Sequence, residues 1–305
     1  MRKKVPVSMI VSHILLAALL TAVFLPGEKT VKAPWPLLCG VALIEGYYLV
    51  KIIRRPRSRT SASDLLAIVW AFLLIWETAV TKLDLMHPVL VPAPENVFAV
   101  FAEQWPVLLS GVCSSMELLF FGVLTGLALG TVSGLVCGWI SRLREVFYPI
   151  ANVLAPIPSV VFAPYIIALM PSFRSASAMV IVLGIFWPAF LNTILRVEGM
   201  ERRIIESARV LKLGNVSMIF EILLPYAMPG VVGGLKVTMT TAVMLLTFAE
   251  MMGATSGMGY YIVNYNTYGN YTNVVAGIIV VGLVVTALNR LTSWIREKTI
   301  RWRTE

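Results

Sequence analysis

Residues 201–225 form a polar, amphipathic segment between two apolar stretches of membrane-spanning length. The spacing of its apolar residues predicts a short helix over 201–213 with one apolar side and one charged side. Three arginines lie three or four residues from Glu206, at the spacing that allows ion pairs along one helix face. They are Arg202, Arg203 and Arg209. The apolar side is expected to comprise Ile204, Ile205, Ala208 and Leu211. A charged side and an apolar side on one short helix are suited to binding the surface of a partner protein.

A turn and a second helix are expected to follow. Gly214 predicts a left-handed helix stop, because glycine adopts a positive φ without steric cost. Asn215 or Ser217 can then cap the next helix. The segment therefore predicts a helix–turn–helix knob outside the membrane, although an amphipathic helix lying in the lipid interface also fits the composition.

The composition sets the class of protein that must position this segment. Of the 305 residues, 58% are hydrophobic and 13% are charged, whereas an average soluble domain has roughly 25% charged residues. The mean hydropathy is +0.82. The net charge of +9 comes from short basic runs beside apolar segments, which favours membrane orientation over binding to nucleic acid. Three cysteines stand singly in apolar runs and the two histidines are far apart, so no metal site is expected.

Apolar patterning predicts an all-α polytopic membrane protein with about eight transmembrane helices. The expected spans are residues 7–26, 35–53, 64–83, 111–140, 147–170, 176–196, 222–250 and 272–295. Most of the 25 basic residues fall in alternate connections and at the two ends. Basic residues are retained on the cytoplasmic side, so both termini are predicted to be cytoplasmic.

The basic stretch 51–63 is the best internal boundary. It separates a two-span N-terminal extension, residues 1–60, from a core of six spans, residues 61–305. The extension is expected either to pack against lipid or to meet a partner.

Five glycines recur every four residues in the span at 111–140. They are Gly122, Gly126, Gly130, Gly134 and Gly138. This spacing places them close to one helix face, where missing side chains let a second helix approach. The face is either a static packing surface or an interface that slides during transport.

Several polar or helix-breaking residues inside spans are candidates for a translocation pathway. Proline removes a backbone donor, so Pro156, Pro158 and the adjacent Ser159 predict either a broken helix beside a pathway or a kinked packing helix. The other candidates are Asn192, Lys236 and Glu250. Asn192 could instead satisfy backbone groups freed by Pro188, Lys236 could reach the cytosolic surface, and Glu250 could make a structural hydrogen bond.

The segment beginning at Glu206 resembles the EAA loop of binding-protein-dependent ABC importer permeases. That pattern is Glu-Ala-Ala, a glycine six residues after the Glu, and then Ile-x-Leu-Pro. Glu206 and Ala208 match and Ser207 replaces the middle alanine; Ile222, Leu224 and Pro225 fall at the expected distances. Lys212 occupies the glycine position, and glycine follows at Gly214. The resemblance implies ATPase coupling by Glu206, Ser207, Ala208, Arg209, Lys212, Gly214 and Pro225.

Four further stretches resemble permeases of the nitrate/sulfonate/taurine type. They are VPAPENVF (91–98), LAPIPSVVFAP (154–164), FWPAFLNT (186–193) and FAEMMGATSGMGYYI (248–262). The resemblance implies a type I importer permease core in the bacterial cytoplasmic (inner) membrane. It also implies a second permease copy, two cytoplasmic ATPase subunits and an extracytoplasmic solute-binding protein.

The same resemblance implies a transport subunit and not an enzyme. The chain contains no Gly-x-x-x-x-Gly-Lys-Ser/Thr motif, so ATP and Mg²⁺ are expected on the partner ATPase, with no cofactor on this chain. The expected cargo is a small anion or sulfonate-like solute, or a small ring compound. The ring compound could stack on the tyrosines of 253–273, which are predicted to lie in an uncharged external loop. An aromatic belt at the membrane interface also explains these tyrosines without any ligand. An ion-coupled secondary transporter without an ATPase is the alternative, but buried carboxylate pairs and inverted repeats are not evident. A membrane-embedded enzyme would need clustered His, Asp or Glu, which the scattered carboxylates do not provide.

Overall fold

A computed structural model describes residues 6–29, 31–54, 59–87, 89–211 and 213–299. Within these ranges every element is helical. In chain order the α-helices are α1 (Val7–Phe24), α2 (Trp35–Arg54), α3 (Arg59–Glu77), α4 (Pro94–Glu103), α5 (Trp105–Trp139), α6 (Ser141–Leu154), α7 (Ala163–Leu169), α8 (Phe173–Glu198), α9 (Arg202–Val210), α10 (Asn215–Ser217), α11 (Leu224–Met251), α12 (Met258–Thr267) and α13 (Tyr271–Thr299). A π-helical turn, Thr78–Lys82, extends α3, and another, Met218–Leu223, joins α10 to α11.

Seven helices in the described ranges are long and apolar enough to cross a membrane. They are Val7–Phe24, Trp35–Arg54, Arg59–Lys82, Trp105–Trp139, Phe173–Glu198, Asn215–Met251 and Tyr271–Thr299. An eighth candidate is the pair Ser141–Leu154 and Ser159–Leu169, which is bent by 84°. The all-α, multi-pass prediction is confirmed. The predicted span at 222–250 started too late, because the helix continues outward to Asn215 through the π-helical turn.

The chain divides into two compact units. The first comprises the residues up to Leu108 together with Ile262–Ile278, and the second comprises Leu109–Tyr261 and the chain from Ile279 onward. The boundary at residue 60 was placed on composition, and it stays a prediction. In the first unit α1, α2 and α3 share a core that contains the fully buried Trp70.

The first unit contains a cluster of charged side chains at the ends of α1 and α3. Glu77 and Glu95 are both buried, and Lys82 Nζ lies 3.2 Å from Glu77 Oε1. Thr81 Oγ1 donates to Glu77 Oε2 over 3.1 Å. Burial raises the pKa of Glu95 to about 7, and the neighbouring Glu77 carboxylate acts in the same direction. Lys82 also donates to the Leu25 carbonyl over 2.8 Å, so the cluster ties the end of α1 to the end of α3.

The glycine face of α5 packs closely against α8 in the second unit, as the spacing predicted. A Cβ at Gly122 would lie 2.8 Å from Ile181 Cβ, and one at Gly130 would lie 2.7 Å from the Phe186 carbonyl oxygen. The other three glycines meet Ile185, Thr193 and Val197 at comparable distances. Real Cβ atoms almost never come within 3.0 Å of another heavy atom, so at four of the five positions any side chain would force neighbouring atoms to shift.

The glycine face gives a direct stability prediction. Gly130→Ala should destabilise the second unit by about 1–3 kcal/mol, because the added methyl group meets backbone atoms that cannot move aside. Gly282→Ala in α13 is the matched control, since a Cβ there meets nothing within 4 Å. The control should be neutral or stabilising by about 0.5–1 kcal/mol. Thermal unfolding of both detergent-purified variants measures the difference; equal melting temperatures would contradict the interpretation.

Candidate functional site

The predicted amphipathic helix of the polar segment is α9. Its apolar side packs into a cluster that contains Ala208, Leu135 and Leu223, all buried, with Ile204 and Ile205 at its edge. Leu211 was predicted on this side, but 70% of it is exposed because α9 ends at Val210 and the chain turns away. The contacts hold α9 against the ends of α5 and α11.

The turn after α9 differs from the prediction. Gly214 has φ −67° and ψ 163°, an extended conformation, so the predicted left-handed stop is wrong. The reason is that the next helix starts at once, and Gly214 takes the extended geometry of its N-cap. Asn215 is the first residue of that helix and accepts a hydrogen bond from Trp139 Nε1 over 3.1 Å, so it does not serve as a cap. Ser217 likewise lies inside the helix, and Pro225 occupies the first turn of α11.

The outer surface of this segment combines charge with exposed apolar side chains. Val210 is 81% exposed and Val216 is 70% exposed. Glu206 is exposed, and no ion pair joins it to Arg202 or Arg203 among the described side chains. Ser207 Oγ donates to the Arg203 carbonyl over 2.8 Å. Lys212 and the side chain of Arg209 lie outside the described part of the chain. Exposed apolar groups rimmed by charge are typical of a protein-interaction surface.

The proline-rich segment is a true break and not a kink. Pro156 and Pro158 lie in the gap between α6 and the 3-10 turn Ser159–Phe162, where the chain bends by 84°. Ser159 is only 4% exposed, and its Oγ has no hydrogen-bond partner among the described residues. Ser159 Oγ lies 2.5 Å from the position that a Cβ of Gly184 would occupy. The broken segment is therefore packed directly against α8.

A cavity of about 210 Å³ lies between α5, α8 and α11 in the second unit. Its polar lining residues are Thr131, Asn192, Thr193, Arg196, Thr238 and Thr241. Asn192 was predicted as a pathway residue, and the structure places it on this wall. Arg196 was missed, because its position in the sequence assigned it to a basic connection. Its nearness to Gly230, whose missing side chain makes room for the guanidinium group, could not be read from the sequence.

Pro188 adds an unusual backbone group to the cavity. Proline has no N–H, so the carbonyl of Gly184, four residues earlier, has no donor from the regular helix pattern. Gly184 and Pro188 both line the cavity. A water-filled cavity is one of the few membrane environments that satisfy such a carbonyl.

Glu250 lies elsewhere, in a buried network at the other end of α11. It is 0% exposed and accepts hydrogen bonds from Ser115 Oγ over 2.6 Å and from the Gly259 amide over 2.8 Å. Ser115 Oγ in turn accepts from the Met258 amide over 2.8 Å. Gly257 packs on the carboxylate with φ +119°, a conformation that favours glycine. The geometry fits the structural alternative for Glu250.

Two other predicted features also lie apart from the cavity. Lys236 is exposed on a different face of α11, in a second pocket beside α13. The tyrosine-rich stretch predicted as a loop contains helix α12, in which Tyr261 is buried. Tyr265 OH donates to Gln104 Oε1 over 3.1 Å. These two tyrosines therefore have structural roles. Across the described residues, no group of three His, Cys, Asp or Glu side chains could hold a metal ion.

Long apolar helices, a broken span beside a polar cavity, and the short amphipathic helix α9 between two spans define a multi-pass membrane protein. A family model, "Binding-protein-dependent transport system inner membrane component", matches residues 126–301, and the chain belongs to this family. It is accordingly a multi-pass inner-membrane protein and a permease subunit of the ABC importer class.

Relatives agree with this assignment, and a solved structure agrees with the fold. SsuC of Bacillus subtilis (strain 168), which is named for aliphatic sulfonates transport, is 26% identical. The match covers 75% of this chain and 83% of SsuC. The nitrate import permease NrtB of Leptolyngbya laminosa is 28% identical, and the match covers 62% of this chain and 68% of NrtB. The taurine transport system permease TauC of Escherichia coli (strain K12) is 26% identical, and the match covers 73% of this chain and 86% of TauC. An inward-facing MetNI methionine ABC transporter chain has the same fold, with a TM-score of 0.57 and 19% identity over 64% of this chain and 97% of that chain.

The structural role of the Glu250 network can be tested by replacing two neighbouring serines, Ser115 inside the network and Ser114 outside it. Ser115→Ala should destabilise the protein by about 1–3 kcal/mol, because it removes the hydrogen bond to the buried Glu250 Oε1 and leaves the Met258 amide without its acceptor. The neighbouring Ser114 makes an exposed hydrogen bond to Ser256 over 2.9 Å, so Ser114→Ala should cost less than about 0.5 kcal/mol. Hydrogen exchange of the 252–259 segment in both variants tests this. The network is not structural if Ser115→Ala leaves the exchange unchanged.

Proposed function

We propose that this permease carries a small oxyanion, such as a sulfonate or nitrate, through the cavity lined by Asn192 and Arg196. The observation that supports the proposal most is the charge of the wall. Among the described residues that line the cavity, Arg196 is the one charged side chain, and the polar remainder are threonines and an asparagine. Relatives named for sulfonates, nitrate and taurine agree with a cargo that carries an oxyanion group.

Arginine suits this task. Its planar guanidinium group donates two parallel hydrogen bonds to a sulfonate or nitrate, and it stays charged at any physiological pH. The threonine hydroxyl groups and the Asn192 amide can complete the solvation of the anion. One cation among neutral donors attracts the anion without holding it so tightly that release becomes slow, which conduction requires.

The proposed energy source is a separate ATPase that docks on the knob formed by residues 201–217. Exposed Val210, Leu211 and Val216 provide apolar contact, and Glu206 provides charge. The apolar side of α9 packs on the spans, so force applied to the knob would pass into α5, α8 and α11. In this proposal ATP and Mg²⁺ bind to the ATPase, a second copy of the permease completes the pathway, and an extracytoplasmic binding protein delivers the solute.

The cavity proposal is tested by charge removal at Arg196. Arg196→Gln should reduce ATP-driven uptake of taurine and nitrate at least tenfold in reconstituted vesicles, because the cavity loses its cation. Arg196→Lys should retain part of the uptake, since charge remains but the bidentate geometry is lost.

Arg174→Gln is the matched control for this experiment. It changes the same residue type at the opposite end of α8, where Arg174 pairs with Glu117 outside the cavity. It should transport as the natural protein does. Normal uptake by Arg196→Gln would rule out the proposed role of the cavity.

The coupling proposal is tested by charge reversal at Glu206. Glu206→Lys should abolish uptake while the protein stays in the membrane, because the exposed carboxylate is replaced by a repelling charge at the docking surface. Glu145→Lys, at an exposed position of α6 outside the knob, is the control for a general effect of added positive charge. Uptake and co-purification of the ATPase are measured together; full ATP-driven uptake by Glu206→Lys contradicts the role.

A further inference from the structure

The cavity between α5, α8 and α11 ends beside Gly184. Gly184 and Arg196 both line it, and they lie about 18 Å apart along α8 at 1.5 Å per residue. A Cβ at Gly184 would collide with Leu245 Cδ1 and would lie 2.5 Å from Ser159 Oγ. Leu245 is 3% exposed and Ser159 is 4% exposed, and neither lines the cavity. These two side chains therefore form an end wall immediately beyond Gly184, at the end of the cavity away from Arg196.

The hydroxyl group of Ser159 is left without a partner by the break in the helix. Hydroxyl groups inside helices commonly donate to the carbonyl four residues earlier. Thr193 on α8 and Thr238 on α11 do so, over 2.7 and 3.2 Å. Ser159 is the first residue of a 3-10 turn, and the helix before it is interrupted at Pro156 and Pro158, so Ser159 Oγ has no hydrogen-bond partner among the described residues.

Stability does not explain a serine at this position. A buried hydroxyl group without a partner destabilises the fold, whereas an alanine of nearly the same shape would not. The end wall otherwise consists of apolar contact with Leu245 and of the backbone of Gly184. The hydroxyl group is therefore best explained by a partner that is present only in another state of the protein.

The end wall can part without loss of a hydrogen bond. Ser159 Oγ makes none, and the contact of Leu245 with Gly184 is apolar. An 84° bend separates α6 from the turn that carries Ser159. Movement of this turn away from α8 therefore breaks no hydrogen bond within α6, and it would extend the cavity to Ser159.

A serine hydroxyl group suits the proposed oxyanion. It donates one hydrogen bond and carries no charge, so it binds a sulfonate or nitrate oxygen more weakly than the guanidinium group of Arg196 does. A solute that must leave again needs a weak contact of this kind beyond a stronger one.

We infer that Ser159 is a second binding contact for the transported oxyanion, which the solute reaches when the end wall parts. This inference rests on the proposed function, because it places Ser159 on the same route as Arg196. In the closed arrangement the hydroxyl group is buried and unpaired. In the open arrangement it donates to an oxygen of the solute.

Replacement of the hydroxyl group tests this inference. Ser159→Ala should reduce ATP-driven uptake of taurine and nitrate by at least about threefold in reconstituted vesicles, because one neutral hydrogen bond to the solute is lost. Its melting temperature should equal or exceed that of the natural protein, since the unpaired hydroxyl group is removed. Ser133→Ala is the matched control: Ser133 Oγ donates to the Leu129 carbonyl of its own helix, outside the cavity, and uptake should not change.

Thiol labelling gives a second readout. The three natural cysteines are replaced by alanine, and Ser159→Cys is added. The assembled transporter in detergent is then treated with a sulfonate-bearing methanethiosulfonate reagent. Labelling should be slow without nucleotide, because position 159 is buried. It should become at least tenfold faster with a non-hydrolysable ATP analogue, and added taurine should slow it again. The chain without cysteine is the control for labelling elsewhere.

The outcomes separate this inference from the proposed function. Normal uptake by Arg196→Gln contradicts the proposed function and, with it, this inference. Impaired uptake by Arg196→Gln together with normal uptake by Ser159→Ala leaves the proposed function intact and overturns the inference. A lower melting temperature of Ser159→Ala would show that the hydroxyl group has a structural role, and equal labelling of Ser159→Cys with and without nucleotide would show that the end wall does not part. Either result overturns the inference.

Discussion

The close approach of α5 to α8 is the constraint on which the rest of the second unit depends. Inside a bilayer the lipid tails are as apolar as leucine, so helices gain little by burying apolar side chains and associate through close packing instead. Glycines spaced every four residues let α5 lie against α8 without intervening side chains. The position of α8 in turn sets one wall of the cavity, and Val197 at its end joins the cluster beneath α9. One packing surface therefore positions both the cavity and the knob.

Two ionisable groups of the second unit have different surroundings. Glu250 is fully buried, each of its carboxylate oxygens accepts a hydrogen bond, and its partners fix the segment between α11 and α12. Arg196 is exposed within a cavity, beside groups that can solvate an anion. Arg196 is the group expected to act on a ligand, because a ligand in the cavity can reach it, whereas protein partners enclose Glu250.

The sequence predicts the features of this protein that depend on local composition and periodicity. The number of spans, the glycine face of α5 and the amphipathic α9 follow from residue type and spacing. Residue type also indicated a disturbed helix at Pro156 and Pro158, but it did not distinguish a break from a kink. Features that depend on contacts distant in sequence could not be predicted. The sequence assigns Arg196 to a basic loop, and only its packing beside Gly230 shows that it lines the cavity. Gly214 was expected to be left-handed because glycine often is, whereas the following helix starts immediately and imposes an extended cap.

The central claim is that the knob and the cavity form one mechanical unit, so that nucleotide bound to the partner ATPase changes the cavity. The distance between two spin labels, one at Leu195 on α8 and one at Val237 on α11, measures this directly by double electron–electron resonance. Both side chains are exposed beside the cavity and can carry a label. The account predicts a shift of several ångströms when a non-hydrolysable ATP analogue is added to the assembled transporter. Identical distance distributions with and without the nucleotide would contradict it.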